Sequence, residues 1–306
     1  MMRHGWMALV AAMMMAACAH AAPEPAQPGT LVEHELVSGG AERSYLVYRP
    51  GSVRGPAPLV IVLHGGGGNA EHGMKMASLN ALALREGFVA VYPNGSGRRR
   101  FLTWNAGHCC QYAMQQEVDD VGFISDLIDE LVASGVADPD RVHVTGMSNG
   151  AMMAFRVGRE LSHKVAAIAP VVGAMFGDEP PAASPVATLI ITGAQDQRVP
   201  AAGGNGVTGR RGGPPNDRPF APAGQALAYW MESNGCSGEA RPISTAVYTL
   251  RQGTGCAAPT LWYSLPRGGH SWPGGRKGSP RGDAPVQDFD ASAVIWEFFR
   301  AQELLR

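Results

Sequence analysis

Gly146-Met147-Ser148-Asn149-Gly150 spells G-x-S-x-G between an apolar run, Arg141 to Thr145, and a segment of helical character, Ala151 to Leu161. A serine at the tip of a sharp strand-to-helix turn stands clear of its neighbours, and the glycines two positions away on either side let the turn close. The amides that open the following helix point toward a developing anion. Placed this way, Ser148 reads as the nucleophile of an acyl transfer. A second glycine cluster, His64-Gly65-Gly66-Gly67-Gly68-Asn69, directly follows the apolar run Leu59 to Leu63. Acyl transfer needs backbone N–H groups to bind the tetrahedral oxyanion, and glycines let a backbone approach a substrate closely. The expected donors are Asn149 and Gly66, with Gly65 or Gly67 as alternates. A phosphate-binding loop would want Lys and then Ser or Thr after its glycines, and neither follows. His64 reads as shaping this loop and not as an acid or base.

A serine nucleophile needs a base, and the base needs an acid to orient it. Beyond the apolar run Thr188 to Thr192 lies Gly193-Ala194-Gln195-Asp196, so Asp196 falls at the carboxyl edge of a strand. Asp178 and Asp217 are weaker candidates because neither directly follows a strand. After Asp196 the chain holds a single histidine, His270, within Gly268-Gly269-His270-Ser271-Trp272-Pro273. A neutral imidazole can take the serine proton and return it to a leaving alcohol. Trp104 and Trp272 lie in loops near these residues and could stack on an aromatic acyl group or a sugar ring.

These side chains are far apart in sequence, so a sheet must gather them. Short apolar runs alternate with longer segments of helical spacing. Strands are expected at 45–48, 59–63, 88–92, 141–145, 165–172, 188–192 and 261–265. Helices are expected at 77–85, 118–133 (capped by Asp119 or Asp120), 151–161 and 293–305. This alternation predicts an α/β fold with a mostly parallel central sheet and helices on both faces, ligands binding beyond the carboxyl ends of the strands. The stretch 201–223, rich in Gly, Pro and Arg, reads as a loop insertion over one edge of the site. Arg98-Arg99-Arg100 and Arg210-Arg211 read as solvated loops.

Of 306 residues, 45% are hydrophobic and 17% charged, which fits one large globular domain and not a disordered chain. A formal net charge of −1 gives no global field toward nucleic acid. The apolar run 6–17 is too short to span a bilayer and reads as the core of a signal peptide. Cleavage after residue 21 would follow Ala19-His20-Ala21. Alternatively, Met15-Ala16-Ala17-Cys18 resembles a lipoprotein box, in which case residues 1–17 are removed and Cys18 becomes a membrane tether through its lipid. Residues 22–30 then form a tether and 31–306 the folded domain. Five cysteines minus Cys18 leave four, an even number suited to an oxidising compartment. Cys236 and Cys256 flank a segment that can form a hairpin, and a bridge there would stabilise by roughly 3 kcal/mol. Cys109 and Cys110 would then form a vicinal disulfide or remain free thiols. Neither pair has zinc-ligand spacing, so no metal is expected.

Several motifs together carry a family resemblance. They are His64-Gly65-Gly66, Trp104-Asn105-Ala106-Gly107-His108-Cys109-Cys110, the run Val118 to Ile124, Gly146 to Gly150, and His270-Ser271-Trp272-Pro273-Gly274. In this order they resemble the polyhydroxybutyrate depolymerase-like esterases of the α/β-hydrolase fold, which are similar to bacterial feruloyl and acetyl xylan esterases. The resemblance spans roughly residues 32–300. It implies an extracellular or periplasmic carboxylic ester hydrolase without metal or organic cofactor, using Ser148, Asp196 and His270. It also implies a structural role for Cys109 and Cys110 near the site. The family's substrates include polyesters, ferulate esters and acetylated sugars. Two other readings remain beside it: a serine peptidase or acyltransferase on the same fold, and an exported polymer-binding protein with a dead site.

Overall fold

The structure is a computed structural model that describes residues 28–207, 218–278 and 282–305. The expected leader, Cys18, Asp217 and Arg210-Arg211 lie outside the described residues. The centre of the fold is set by a run without polar residues. β3 (Ala57–Leu63) is buried on both faces, as a continuous Val/Ile/Leu run requires. Preceding it are the hairpin strands β1 (Thr30–Ser38) and β2 (Ala41–Arg49). The helices α1 (Ala70–Ala77) and α2 (Leu79–Glu86) then lead to β4 (Val89–Pro93). A small hairpin, β5 (Ser96–Arg98) and β6 (Phe101–Thr103), precedes α3 (Gln111–Gln115) and α4 (Asp120–Ala133). The central units follow as β7 (Ala137–Met147), α5 (Asn149–Glu160), β8 (Ala167–Val171) and β9 (Ala187–Gly193). The last third holds α6 (Ala223–Ser233), β10 (Gly238–Glu239), β11 (Ile243–Ser244), β12 (Thr249–Thr254), β13 (Thr260–Leu265) and α7 (Ala291–Phe299).

Among the described residues the main sheet runs β1-β2-β4-β3-β7-β8-β9-β13-β12-β10, with β11 also paired to β12. From β4 to β13 all pairs are parallel, while β1, β2 and β12 add antiparallel margins. The α/β-hydrolase architecture with a mostly parallel sheet is therefore present. Side chains alternate across the pleat. Leu59, Ile61 and Leu63 pack with Val144, Ile190 and the inner faces of α4, α5 and α6. Val60 and Val62 pack with Leu189, Ile191 and the inner faces of α1, α2 and α7. The chain winds from β3 outward to β4, then crosses to the other side of β3 to form β7. Crevices for ligands form at such a reversal, beyond the carboxyl ends of the two strands. Those ends carry the glycine loop at 64–69 and Ser148.

Several elements depart from the sequence expectation. The helix expected at 77–85 is α2 (Leu79–Glu86), and it is preceded by a helix the sequence did not announce, α1, from which it is separated at Ser78, which takes a left-handed conformation (φ 53°) with its N–H bonded back to Met74 O. The closing helix begins at Ala291, capped by the Asp290 carboxylate accepting from Ala293 N–H, and ends at Phe299. Beyond it the chain turns alongside β7, where Leu304 N–H donates to Asp140 O. β1 is almost wholly exposed, so its residues lack the apolar alternation that marks a buried strand. The four helical turns' worth of apolar spacing expected at 118–133 is α4, capped by Asp119, whose carboxylate accepts from Gly122 N–H at 2.8 Å. Cys236 and Cys256 are bridged, tying the end of α6 to the end of β12, and Cys109 pairs with its neighbour Cys110. Among the described residues no helix is long and apolar enough to cross a membrane.

Candidate active site

Ser148 sits between β7 and α5 with φ 57° and ψ −121°, a conformation that costs a non-glycine residue energy and must be imposed by its surroundings. They do impose it. A Cβ on Gly146 would lie 2.5 Å from Gly150 O, and one on Gly150 would fall on the Leu63 carbonyl. The two glycines let the turn close against β3, and Ser148 N–H is held by Val171 O of the neighbouring strand at 3.0 Å. Asp196 follows β9 and His270 follows β13, adjacent parallel strands that bring the two loops side by side. His270 Nε2 lies 2.9 Å from Ser148 Oγ, and His270 Nδ1 lies 2.7 Å from Asp196 Oδ2. Asp196 is 5% exposed, and its other oxygen accepts the N–H groups of Arg198 at 2.8 Å and Val199 at 2.9 Å. The carboxylate is thus fixed by its own loop and offers one oxygen to the imidazole. The acceptor at Nδ1 requires Nδ1–H, which leaves the Nε2 lone pair toward the serine hydroxyl.

The glycine loop lies against the start of α5. A Cβ on Gly66 would sit 3.5 Å from the Asn149 Cβ. Gly67 N–H is taken by Leu102 O at 2.8 Å and Gly68 N–H by Gly65 O at 3.0 Å. Among the described residues no such partner takes the N–H of Gly66, and Asn149 is the first residue of its helix, where N–H groups lack an intrahelical acceptor. His64, fully buried, accepts Gly95 N–H at Nε2 (3.0 Å), so its Nδ1–H donates to Gly65 O (2.8 Å). Since a trans peptide opposes its C=O and N–H, holding the Gly65 carbonyl aims the Gly66 N–H the other way. Burial lowers the His64 pKa to about 4, so the ring that holds this peptide stays neutral. The side chain of Asn149 accepts Trp104 N–H at 2.7 Å and donates to Trp104 O at 2.9 Å, while the Trp104 indole donates to His64 O at 2.9 Å.

This arrangement corrects the expectation that the tryptophans stand exposed as stacking platforms. Trp104 and Trp272 are 0% exposed; Trp104 packs away from the cleft, and Trp272 borders it beside Ser271 without standing in solvent. Each indole N–H is spent on structure, that of Trp104 on His64 O and that of Trp272 on Ser292 Oγ at 3.0 Å. A large ring next to a close-packed loop buries more apolar area under that loop than it could by standing in water. Asp178 pairs with His108 and Arg218 and does not reach His270. Sequence reasoning also missed Asp283, whose carboxylate accepts His270 N–H at 2.7 Å and pins the loop that carries this histidine. No local pattern marks it, since the contact spans 13 residues. The Arg98-Arg99-Arg100 run is exposed, as expected of a solvated segment. It is the tip of the β5–β6 hairpin, and Arg100 lines the same cavity as Ser148 and His270, a cleft of about 360 Å³.

Comparison with known proteins gives the chain's family. The family model described as esterase PHB depolymerase matches residues 43–202. The protein NocK of Nocardia uniformis subsp. tsuyamanensis, named as an esterase, is 30% identical over 273 residues, covering 82% of this chain and 76% of its own. Feruloyl esterase B of Piromyces equi is 29% identical over 188 residues, 60% of this chain but only 33% of that larger protein. An acetyl xylan esterase structure from Aspergillus awamori superposes with a TM-score of 0.61 at 14% identity, over 88% of this chain and 99% of that one, a likeness of fold. With the family match spanning the glycine loop, the turn at Ser148 and Asp196, this chain is a carboxylic ester hydrolase belonging to the PHB depolymerase esterase family.

Proposed function

We propose that this chain is an exported serine esterase working through an acyl-enzyme on Ser148. The reading rests on one observation above all: the unbroken contact from Ser148 Oγ to His270 Nε2 (2.9 Å) and from His270 Nδ1 to Asp196 Oδ2 (2.7 Å). Ser148 Oγ attacks the ester carbonyl as its proton passes to His270 Nε2, and Asp196 stabilises the imidazolium that forms. The N–H groups of Gly66 and Asn149 receive the oxyanion. Collapse of the tetrahedral adduct expels the alcohol, which takes the proton from His270. Water, deprotonated by the same imidazole, then cleaves the acyl-serine bond and releases the acid.

The substrate classes that fit are polyhydroxyalkanoate-type oligoesters and feruloyl or acetyl esters of plant polysaccharide, in keeping with the names of the relatives. Export follows from the leader at the N-terminus, with removal after residue 21 or attachment through lipidated Cys18; the mass of the mature N-terminus separates these. For the chemistry, Ser148→Ala is expected to abolish hydrolysis of 4-nitrophenyl acetate while the folded far-UV spectrum is kept, and activity near wild type would defeat the assignment. Hydrolysis of peptide anilides in preference to esters would instead favour a peptidase. A panel of methyl ferulate, acetylated xylan and hydroxybutyrate oligomers ranks the substrate classes.

A further inference from the structure

The β5–β6 hairpin is built into the catalytic loop. Leu102 accepts Gly67 N–H at 2.8 Å and donates to Gly68 O at 3.3 Å, so β6 pairs with the glycine loop as a short antiparallel bridge. Gly95, which leads into the hairpin, donates to His64, the ring that holds Gly65. The tip of the hairpin is therefore fixed relative to the oxyanion donors and carries two unusual side chains. Phe101 is 74% exposed, among the most exposed large apolar residues described, and its ring lies 3.6 Å from where a Cβ on Gly67 would be. Arg100, also exposed, lines the cleft with Ser148 and His270. From the loop that bears the acid, Arg198 lines the same cleft, and Asp283 is its one carboxylate among the described lining residues. Arg276 and Lys277 stand exposed just before Gly278 on the rim. A chain of net charge −1 has gathered cations around its nucleophile.

A phenylalanine ring held against the glycine loop offers an apolar face to a chain leaving the cleft, and the Arg100 guanidinium that lines the cleft offers a planar pair of donors suited to a carboxylate. Resting on the serine-esterase reading above, we propose that the cleft selects esters that carry a carboxylate on a short apolar spacer, with Phe101 covering the spacer and Arg100 receiving the carboxylate. This assigns substrate selection to the arginine hairpin and not to the buried tryptophans.

The test compares kcat/KM for two matched pairs of esters. The first pair is 4-nitrophenyl hemiglutarate against its neutral methyl ester, which places the anion on the acyl side. The second is 3-acetoxybutyrate against methyl 3-acetoxybutyrate, which places it on the alcohol side. In at least one pair the wild-type enzyme is expected to favour the anionic ester, and Arg100→Gln to lower that anionic-to-neutral ratio about tenfold, the scale of a single charge-assisted contact. Raising ionic strength is expected to lower the wild-type ratio in the same pair, a readout that needs no variant. Ratios at or below one in both pairs, or ratios unmoved by Arg100→Gln and by salt, would overturn the inference and leave the esterase reading intact. Hydrolysis of none of the four esters would overturn both.

Discussion

The hydrogen bonds of Asp196 make Asp196→Asn an unusually decisive substitution. In the wild type Oδ1 accepts two backbone N–H groups, from Arg198 and Val199, while Oδ2 meets His270 Nδ1 at 2.7 Å. An amide has only one oxygen. Two backbone donors at 2.8 and 2.9 Å compel that oxygen to stay at the Oδ1 position, because an NH₂ there would oppose both of them. The NH₂ of the variant must then face Nδ1, donate to it and drive the imidazole proton to Nε2. With Nε2–H directed at Ser148 Oγ, the ring cannot accept the serine proton. The expected loss in kcat is on the order of 10⁴, roughly 5 kcal/mol of transition-state stabilisation. Stability should change by less than about 1 kcal/mol, since every buried group keeps a partner. Asp196→Ala would instead strand the two backbone N–H groups, cost about 2–3 kcal/mol of stability, and leave the imidazole free to take either tautomer. The assay is steady-state hydrolysis of 4-nitrophenyl acetate by both variants, with urea unfolding alongside. An Asp196→Asn enzyme that keeps a tenth or more of wild-type kcat would refute the tautomer argument.

Two further expectations concern the frame that holds the site. Asp120 is fully buried, pairs with Arg43 at 2.7 Å and accepts Asn105 N–H at 2.7 Å, so it anchors the loop of Trp104 to α4. Burial raises its carboxyl above the usual range even as Arg43 opposes the shift. Asp120→Ala leaves the Arg43 guanidinium unpaired at 8% exposure and should cost about 3–5 kcal/mol by urea unfolding; a loss under about 1 kcal/mol would contradict this. His64 and His143 are both buried, and desolvation holds each pKa at about 4, below the ordinary 6.5. The unfolded chain therefore binds more protons between these values. Their stabilisation is complete above pH 6.5 and is lost as pH falls to about 4, amounting to about 3 kcal/mol for each ring. Urea midpoints measured from pH 7 to 4.5 should fall accordingly, and His143→Phe should remove one proton from the slope. A flat profile would count against the neutral, buried state of both rings.

How much of this was legible in the sequence depends on where each signal resides. The turn at Ser148 is local: Gly146, Ser148 and Gly150 need one another within five residues, and the strand and helix beside them are strongly apolar. That Asp196 and His270 would meet was reachable because each lies one loop past a buried strand, and chain order narrowed the choice. Signals that depend on through-space neighbours were not legible. Asp283 acts on His270 N–H from a separate loop, and Arg100 reaches the cleft because Leu102 pairs with Gly67 and Gly68. Trp104 and Trp272 look alike in sequence whether a ring faces solvent or packs beneath its loop, and in the fold each indole N–H has a protein acceptor. β1 escaped notice because it is an edge strand whose residues are almost all exposed.

The account stands on the hydroxyl of Ser148 forming and breaking a covalent acyl bond. Labelling the purified protein with a fluorophosphonate, followed by tryptic digestion and mass spectrometry, tests this directly. The adduct is predicted on the peptide spanning residues 142–156, at Ser148, in proportion to lost esterase activity. Full inactivation with the adduct on any other residue, or no adduct on an enzyme that hydrolyses 4-nitrophenyl acetate, would contradict it.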